Sequence, residues 1–264
     1  MIIDFHVHCF PDEIAERAVT TLSEAANLPL KSNGTVAGIK ASMKKAGVNK
    51  SVLLSIATKP QQTHKITQWA ASVQDENIIA FGSIHPEYED WRDELSKLCE
   101  VGIKGIKFHP EYQDFYVDDP KMFPIYERAA ELGLIIIFHA GGDLGFQAPY
   151  HCPPERMKRV VRAFPGAKIV AAHMGGYEYW DEVENCLAGE QLYFDTSFSL
   201  HEMGREQFFR IASKHGYDKL LFASDSPWGD QSEEVERMLG LMLPKDLSEA
   251  VLGGNAARLL GLTC

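Results

Sequence analysis

Eight short, β-branched-rich apolar runs punctuate the chain, at residues 2–8, 51–56, 78–85, 103–109, 134–140, 168–173, 191–196 and 220–225. Within most of them apolar residues follow one another instead of alternating with polar ones, the pattern of parallel strands covered on both faces. Helical periodicity fills the intervals. Val36, Ile39 and Met43 precede Gly47; Ile66, Trp69, Ala70 and Val73 form a second stripe; Trp91, Leu95 and Leu98 a third; Met157, Val160, Val161 and Phe164 a fourth. Gly102, Gly133 and Gly166 stand between helix and strand patterns, where a left-handed cap residue is favoured.

Eight strands alternating with helices in a chain of this length predict an α/β fold, a distorted (β/α)8 TIM barrel. An open doubly wound sheet usually has fewer strands and carries G-x-G-x-x-G after its first; that fingerprint is missing. The stretch from Cys9 to Asn49 is too long for one barrel helix, and DEIAERAVTTLSEAA after Pro11 predicts an extra helix following strand one. No linker, low-complexity segment or short repeat divides the chain, so residues 1–264 read as a single domain.

The 264 residues are 45% hydrophobic, ordinary for a core of this size, and their net charge of −11 argues against nucleic-acid binding. Five scattered cysteines (Cys9, Cys99, Cys152, Cys186 and Cys264) form no C-x-x-C, which predicts reduced thiols and no disulfide framework. The start has no basic segment before its apolar run, and no run reaches the roughly 20 residues of a membrane span. A cytoplasmic protein without nucleic-acid or membrane partners is the expectation.

The polar residues at the strand ends change the picture. In D-F-H-V-H, Asp4, His6 and His8 alternate with Phe5 and Val7, which predicts that all three share one face. Strand four ends with His109, strand five with His139, strand six with His173 and strand eight with Asp225. In a barrel these ends converge on the C-terminal rim, where active sites sit. Imidazoles with a carboxylate suit zinc and similar first-row ions. His85 is assigned a structural or outer role, His151 a place near substrate, and His64, His201 and His215 the surface. Phe10, Tyr112, Phe115, Phe146, Tyr150, Tyr177, Tyr179 and Trp228 follow strands and offer an aromatic pocket lining, with loop packing as the alternative.

Taken together, D-F-H-V-H, G-I-K-F-H-P at 105–110, I-F-H-A-G at 137–141, A-A-H-M-G-G at 171–176, F-A-S-D-S-P-W at 222–228 and G-N-A-A-R-L-L at 254–260 give the chain its family character. It resembles the amidohydrolase superfamily over nearly its whole length, within the amidohydrolase-2 or ACMSD-like branch. The resemblance implies one divalent metal, zinc before manganese or cobalt, held by His6, His8, His139 and Asp225. His173 would then be an acid–base or substrate-polarising group beside it. Binuclear members bridge two metals with a carbamylated lysine on strand four, so Lys107 and His109 are additional candidates. The branch is typically mononuclear, and an interior lysine neutralising Asp4 or Asp225 is the plainer role.

The implied activity is hydrolysis of a small ester, lactone or amide-like carbon by a metal-activated water, with Asp225 and His173 handling protons. The alternative is metal-dependent, non-oxidative decarboxylation of an unsaturated or aromatic acid. A carboxylate substrate calls for a cationic clamp, and the rim loops offer only Lys59, Arg156 and Arg205, which favours hydrolysis. A metal-binding barrel without catalysis would not need both Asp225 and His173. The expected partner is a small-molecule substrate; relatives are often dimers, so a homodimer stays open beside a monomer.

Overall fold

A computed structural model describes residues 1–262, and all eight predicted strands form in it. They are β1 (Ile3–Val7), β2 (Lys50–Leu54), β3 (Ile78–Phe81), β4 (Gly105–Phe108), β5 (Ile135–Phe138), β6 (Ile169–Ala171), β7 (Tyr193–Asp195) and β8 (Leu220–Leu221). Pairing is parallel throughout, in the orders β1-β2-β3 and β4-β5-β6-β7-β8. Backbone seams join the two sheets. Gly82 N donates to Gly105 O and Lys107 N to Gly82 O, each at 2.9 Å. On the far side Phe5 N donates to Phe222 O, and Asp225 N to His6 O, again at 2.9 Å. The fold is a TIM barrel.

The predicted extra helix is α1 (Asp12–Ala26), with two carboxylates in its first turn against the helix dipole and Asn27 left-handed at its end. Next come α2 (Val36–Ala46), α3 (Thr63–Val73), α4 (Trp91–Glu100), α5 (Phe123–Glu131) and α6 (Pro154–Ala163). The circuit continues with the short α7 (Trp180–Glu182), α8 (Arg205–His215), α9 (Gln231–Gly240), α10 (Lys245–Glu249) and α11 (Asn255–Leu260). Local chemistry sets several boundaries. The Thr35 hydroxyl accepts from Gly38 N at 2.9 Å to start α2, and Gly47, at φ 71°, stops it. Asp230 caps α9 through Ser232 N and Glu233 N.

Two apolar layers result. The larger packs outward-facing strand residues such as Leu53, Ile106, Phe138 and Phe194 under the helices. The smaller fills the barrel with Phe5, Leu54, Phe81, Ile137, Val170 and Leu221, and α11 contributes Ala256, Ala257 and Leu260 to it. Gly105 makes room for this filling, since a Cβ there would lie 2.3 Å from the Phe81 ring.

One expectation about β1 fails. Asp4 pairs with Ser51 and Val7 with Leu53, so three steps on β1 match two on β2. The extra residue is a bulge that breaks the alternation. Asp4 therefore does not share a face with His6 and His8. Its carboxylate accepts from Ser224 N at 3.0 Å, from Gln231 Nε2 of α9 at 2.8 Å and from His6 N at 3.2 Å. Asp4 braces the seam between β1 and β8 through the backbone of His6 and Ser224 and the side chains of Ser224 and Gln231, not through the His6 ring. Cys9, Cys99, Cys152 and Cys186 are free thiols; Cys264 lies outside the described residues. No helix among those residues is long and apolar enough to cross a membrane.

Candidate metal centre and its cavity

His6 and His8 leave β1 beyond its bulge and point into the mouth of the barrel. Their outer nitrogens settle which atoms face inward. His8 Nδ1 lies 2.8 Å from Leu54 O, a carbonyl that can only accept, so Nδ1 carries the proton and Nε2 presents a lone pair. His6 Nδ1 lies 2.9 Å from Asp195 Oδ2, which imposes the same tautomer. Burial, and then the neighbouring Lys107 ammonium, hold His6 neutral.

Both bare Nε2 atoms meet 3.1 Å apart, with Asp225 Oδ1 3.4 Å from the first and 3.3 Å from the second. Burial works to raise the Asp225 carboxyl, and the pull of His6, His8 and His173 toward an ion pair works to lower it, so the net direction is down and the site favours one positive charge beside the carboxylate. Three electron-rich atoms thus converge, and the Lys107 ammonium, 3.3 Å from His6 Nε2, meets only one of them. That is unfavourable in a buried site unless a cation sits among them, and two imidazoles with a carboxylate are the donors of a first-row divalent metal. Asp225 holds its place in left-handed backbone, φ 62°, a conformation that costs a non-glycine residue of order 1–3 kcal/mol.

A second lone-pair encounter lies alongside. His139 Nε2 donates to Gly142 O at 2.9 Å, which leaves its Nδ1 bare. His173 Nδ1 lies 3.0 Å from Ser197 O, which leaves its Nε2 bare. These bare atoms face each other at 3.0 Å. Burial first, and the cost of charging a ring beside another imidazole second (His109 for His139, His139 for His173), push His139 down to about 3 and His173 to about 4, so both rings are neutral near pH 7. His173 is fixed by its backbone as well: its N donates to Asp195 Oδ1 at 3.0 Å, and its carbonyl accepts from Trp180 Nε1 at 3.0 Å.

The sequence-derived residues therefore fall into two groups. His6, His8 and Asp225 share one point; His139 is set apart, with His109 and Asp143 as its neighbours. His109 Nε2 donates toward Asp143 Oδ2 at 3.1 Å, and its ring stacks on His139 with centroids 4.1 Å apart. His109 and Asp143 are held by hydrogen bonds and orient the His139 ring, whose Nδ1 alone stays bare, toward His173. Lys107 is buried with Nζ 3.3 Å from His6 Nε2; burial lowers it to about 8, with Asp195 and Asp225 opposing. Of the two carboxylates expected beside an interior lysine, Asp225 is among those that act on it and Asp4 is not.

Asp143, Asp195 and Ser197 escaped the sequence reading. Asp195 ends β7 as the other polar groups end their strands, so the same rule could have found it. Other assignments shift too. His215, expected at the surface, is buried with its ring 3.8 Å above Phe194. His151 does not reach the cavity; its Nδ1 lies 3.1 Å from Pro110 O. His85 is buried and its Nδ1 accepts from Glu87 N at 3.1 Å, a structural role. Arg156 is bound to Asp118, and Arg205 donates to the carbonyls of Gly240 and Leu241, so neither rim arginine faces the cavity.

The cluster opens into a cavity of about 620 Å³. Phe10, Tyr112, Tyr177 and Trp228 line it as expected, and Trp69 and Phe198 join them. Phe115 instead packs on Phe108 in the core, and Phe146, Tyr150 and Tyr179 lie outside the lining.

A family model described as amidohydrolase matches residues 3–262. The chain belongs to the amidohydrolase family. No curated protein matches it. Among solved structures this amidohydrolase is similar to the 5-carboxyvanillate decarboxylase of Sphingomonas paucimobilis, at 18% identity and TM-score 0.73, covering 99% of each chain. An uncharacterised TIM-barrel protein of Bordetella bronchiseptica aligns at 22% identity and TM-score 0.77, covering 98% of each chain. The 5-carboxyvanillate decarboxylase of Novosphingobium aromaticivorans, crystallised with manganese, aligns at 15% identity and TM-score 0.77, covering 99% of this chain and 97% of that one.

Proposed function

We propose that this amidohydrolase is a metal-dependent, non-oxidative decarboxylase acting on an aromatic or unsaturated carboxylic acid. The observation that carries the reading is the junction of a cation-demanding cluster with a largely apolar cavity. A carboxylate entering such a cavity gives up its hydration, and losing CO2 removes the localised charge that water had stabilised. A divalent metal held by His6, His8 and Asp225, with His139 as the fourth donor, would supply positive charge to anchor and polarise the substrate's oxygen atoms. Imidazole donors suit zinc, and manganese accompanies a decarboxylase of the same fold.

The chain's own residues do the rest. Lys107, buried beside the cluster, offers its ammonium to the carboxylate that the rim arginines cannot reach. The ring carbon keeps both electrons of the broken carbon–carbon bond, and a proton takes the place of CO2. The proton comes from solvent: the ionised Asp225 and the bare Nε2 of His173 are the basic atoms that could take it up and pass it to that carbon, and each ends the turnover without a proton, as it began. The buried Ser55 hydroxyl lies at the cavity wall without a hydrogen-bond partner among the described residues.

The scarcity of rim cations favours hydrolysis on sequence grounds. That reason counts for less beside the buried Lys107 ammonium and the positive charge a metal would add, and the solved decarboxylases of this fold add weight on the same side. The test is a panel of hydroxybenzoates, cinnamates and lactones given to metal-loaded protein in D2O. One CO2 released and one deuterium gained at the former carboxyl carbon is the expected result. Lactone opening without CO2 release would return the assignment to hydrolysis.

A further inference from the structure

Resting on the decarboxylase reading, we propose that the substrate carries an apolar chain or second ring beyond the reacting group, and that it lies in a groove between α1 and α3. The cavity is far larger than one ring requires: a dry pocket of about 150 Å³ accommodates benzene, whereas this one holds about 620 Å³. The surplus space runs away from the metal cluster. One wall is a stripe on α1 at strict four-residue spacing, Ile14, Ala18, Leu22 and Ala26, and Ile66 and Trp69 of α3 also line the cavity.

The stripe is not the helix's core face. Ala15, Val19 and Ser23 are buried against the protein, while Ile14 is 38% exposed and the other three are partly exposed. Leu144, across the mouth, is 42% exposed. Large apolar side chains left open in one cavity with a catalytic cluster mark a ligand-binding surface. The alternation of large and alanine side chains leaves hollows along the stripe, which spans about 18 Å from Ile14 to Ala26. No acidic or arginine side chain lines this arm, and Lys65 stands near it as an exposed cation. A hydrocarbon extension, not a sugar or a phosphate, fits such walls.

The experiment titrates 4-alkylbenzoates from methyl to octyl into zinc- or manganese-loaded protein, with tryptophan fluorescence as readout because Trp69 and Trp228 line the cavity. CO2 release from the matching hydroxybenzoates is followed in parallel. Dissociation constants should fall about fourfold per added methylene until the groove is full. Ala18→Phe should flatten that dependence, and Leu22→Ala, which widens the groove, should move the plateau to longer chains. A flat wild-type series overturns the groove, even where short acids lose CO2. Chain-length-dependent binding that Ala18→Phe abolishes, with no CO2 from any acid, upholds the groove and overturns the decarboxylase reading alone.

Discussion

His6 Nδ1–H donates to Asp195 Oδ2, and that hydrogen bond, beside the Ser197 hydroxyl, decides which nitrogen faces the metal position. An amide at position 195 could donate to Nδ1, forcing the proton onto Nε2, where a metal should bind. Asp195→Asn should therefore weaken metal retention by 10- to 100-fold while the fold survives, as competition against a graded chelator would measure. Unchanged retention would remove Asp195 from the support of the site. Asp225→Asn strikes the cluster directly and should abolish CO2 release, with metal content falling in proportion on elemental analysis. Far from the metal, His215 carries a different load. Burial against Phe194, and then Lys219, hold it neutral down to about pH 3, whereas the unfolded chain protonates it near its ordinary value. Its lowered folded value means stability is lost as pH falls below about 6.5, by roughly 2 kcal/mol at about pH 5. His215→Phe keeps the stacking and removes the proton, so the gap in melting temperature between pH 7.5 and about pH 5 should narrow by roughly 4–8 °C relative to the unaltered chain.

At the scale of elements, the loop after β5 shows how tightly the rim is fitted. Gly141 has φ 84°, and a Cβ there would lie 2.3 Å from Tyr177 N and 2.4 Å from Tyr177 O. Gly141→Ala must push the β5 and β6 loops apart, at a cost of about 3 kcal/mol or more, and should misplace His139 and His173 together. Thermal unfolding and CO2 release should fall in the same variant; a silent substitution would mean the loop is far looser than its hydrogen bonds imply. Strands were legible because a parallel barrel strand, covered on both faces, must be apolar almost throughout, and α1 was legible from its periodicity after Pro11. The strand-end histidines followed from the same frame. What stayed hidden depends on contacts made across the fold. The β1 bulge, which separates Asp4 from His6, arises from pairing with β2 and leaves no mark in D-F-H-V-H. Asp143 reaches His109 only because the glycines at 141 and 142 turn the chain back. His215, at a helix end in K-H-G, looks solvent-facing until Phe194 is placed beneath it.

For the molecule as a whole, the cluster joins the two ends of the barrel's circuit. His6 and His8 come from the first strand and Asp225 from the loop after the last, at the seam where Asp225 N donates to His6 O. Without a metal, only the Lys107 ammonium beside His6 Nε2 offsets the repulsion of the two Nε2 lone pairs and the carboxylate across that seam; a metal among them would turn the rest into attraction and pin the seam. Binding to the folded state alone stabilises by mass action, about 2.7 kcal/mol when free metal is one hundred times its dissociation constant. For a chain of this size that is a rise of roughly 5–10 °C in melting temperature. Zinc or manganese added to chelator-treated protein should produce it, and Asp225→Asn should remove most of it. The shift requires no substrate, so it tests the metal centre independently of any catalytic assignment. If zinc, manganese and cobalt all leave the melting curve unmoved, the three converging atoms do not form a metal site, and the chemistry built on them fails with it.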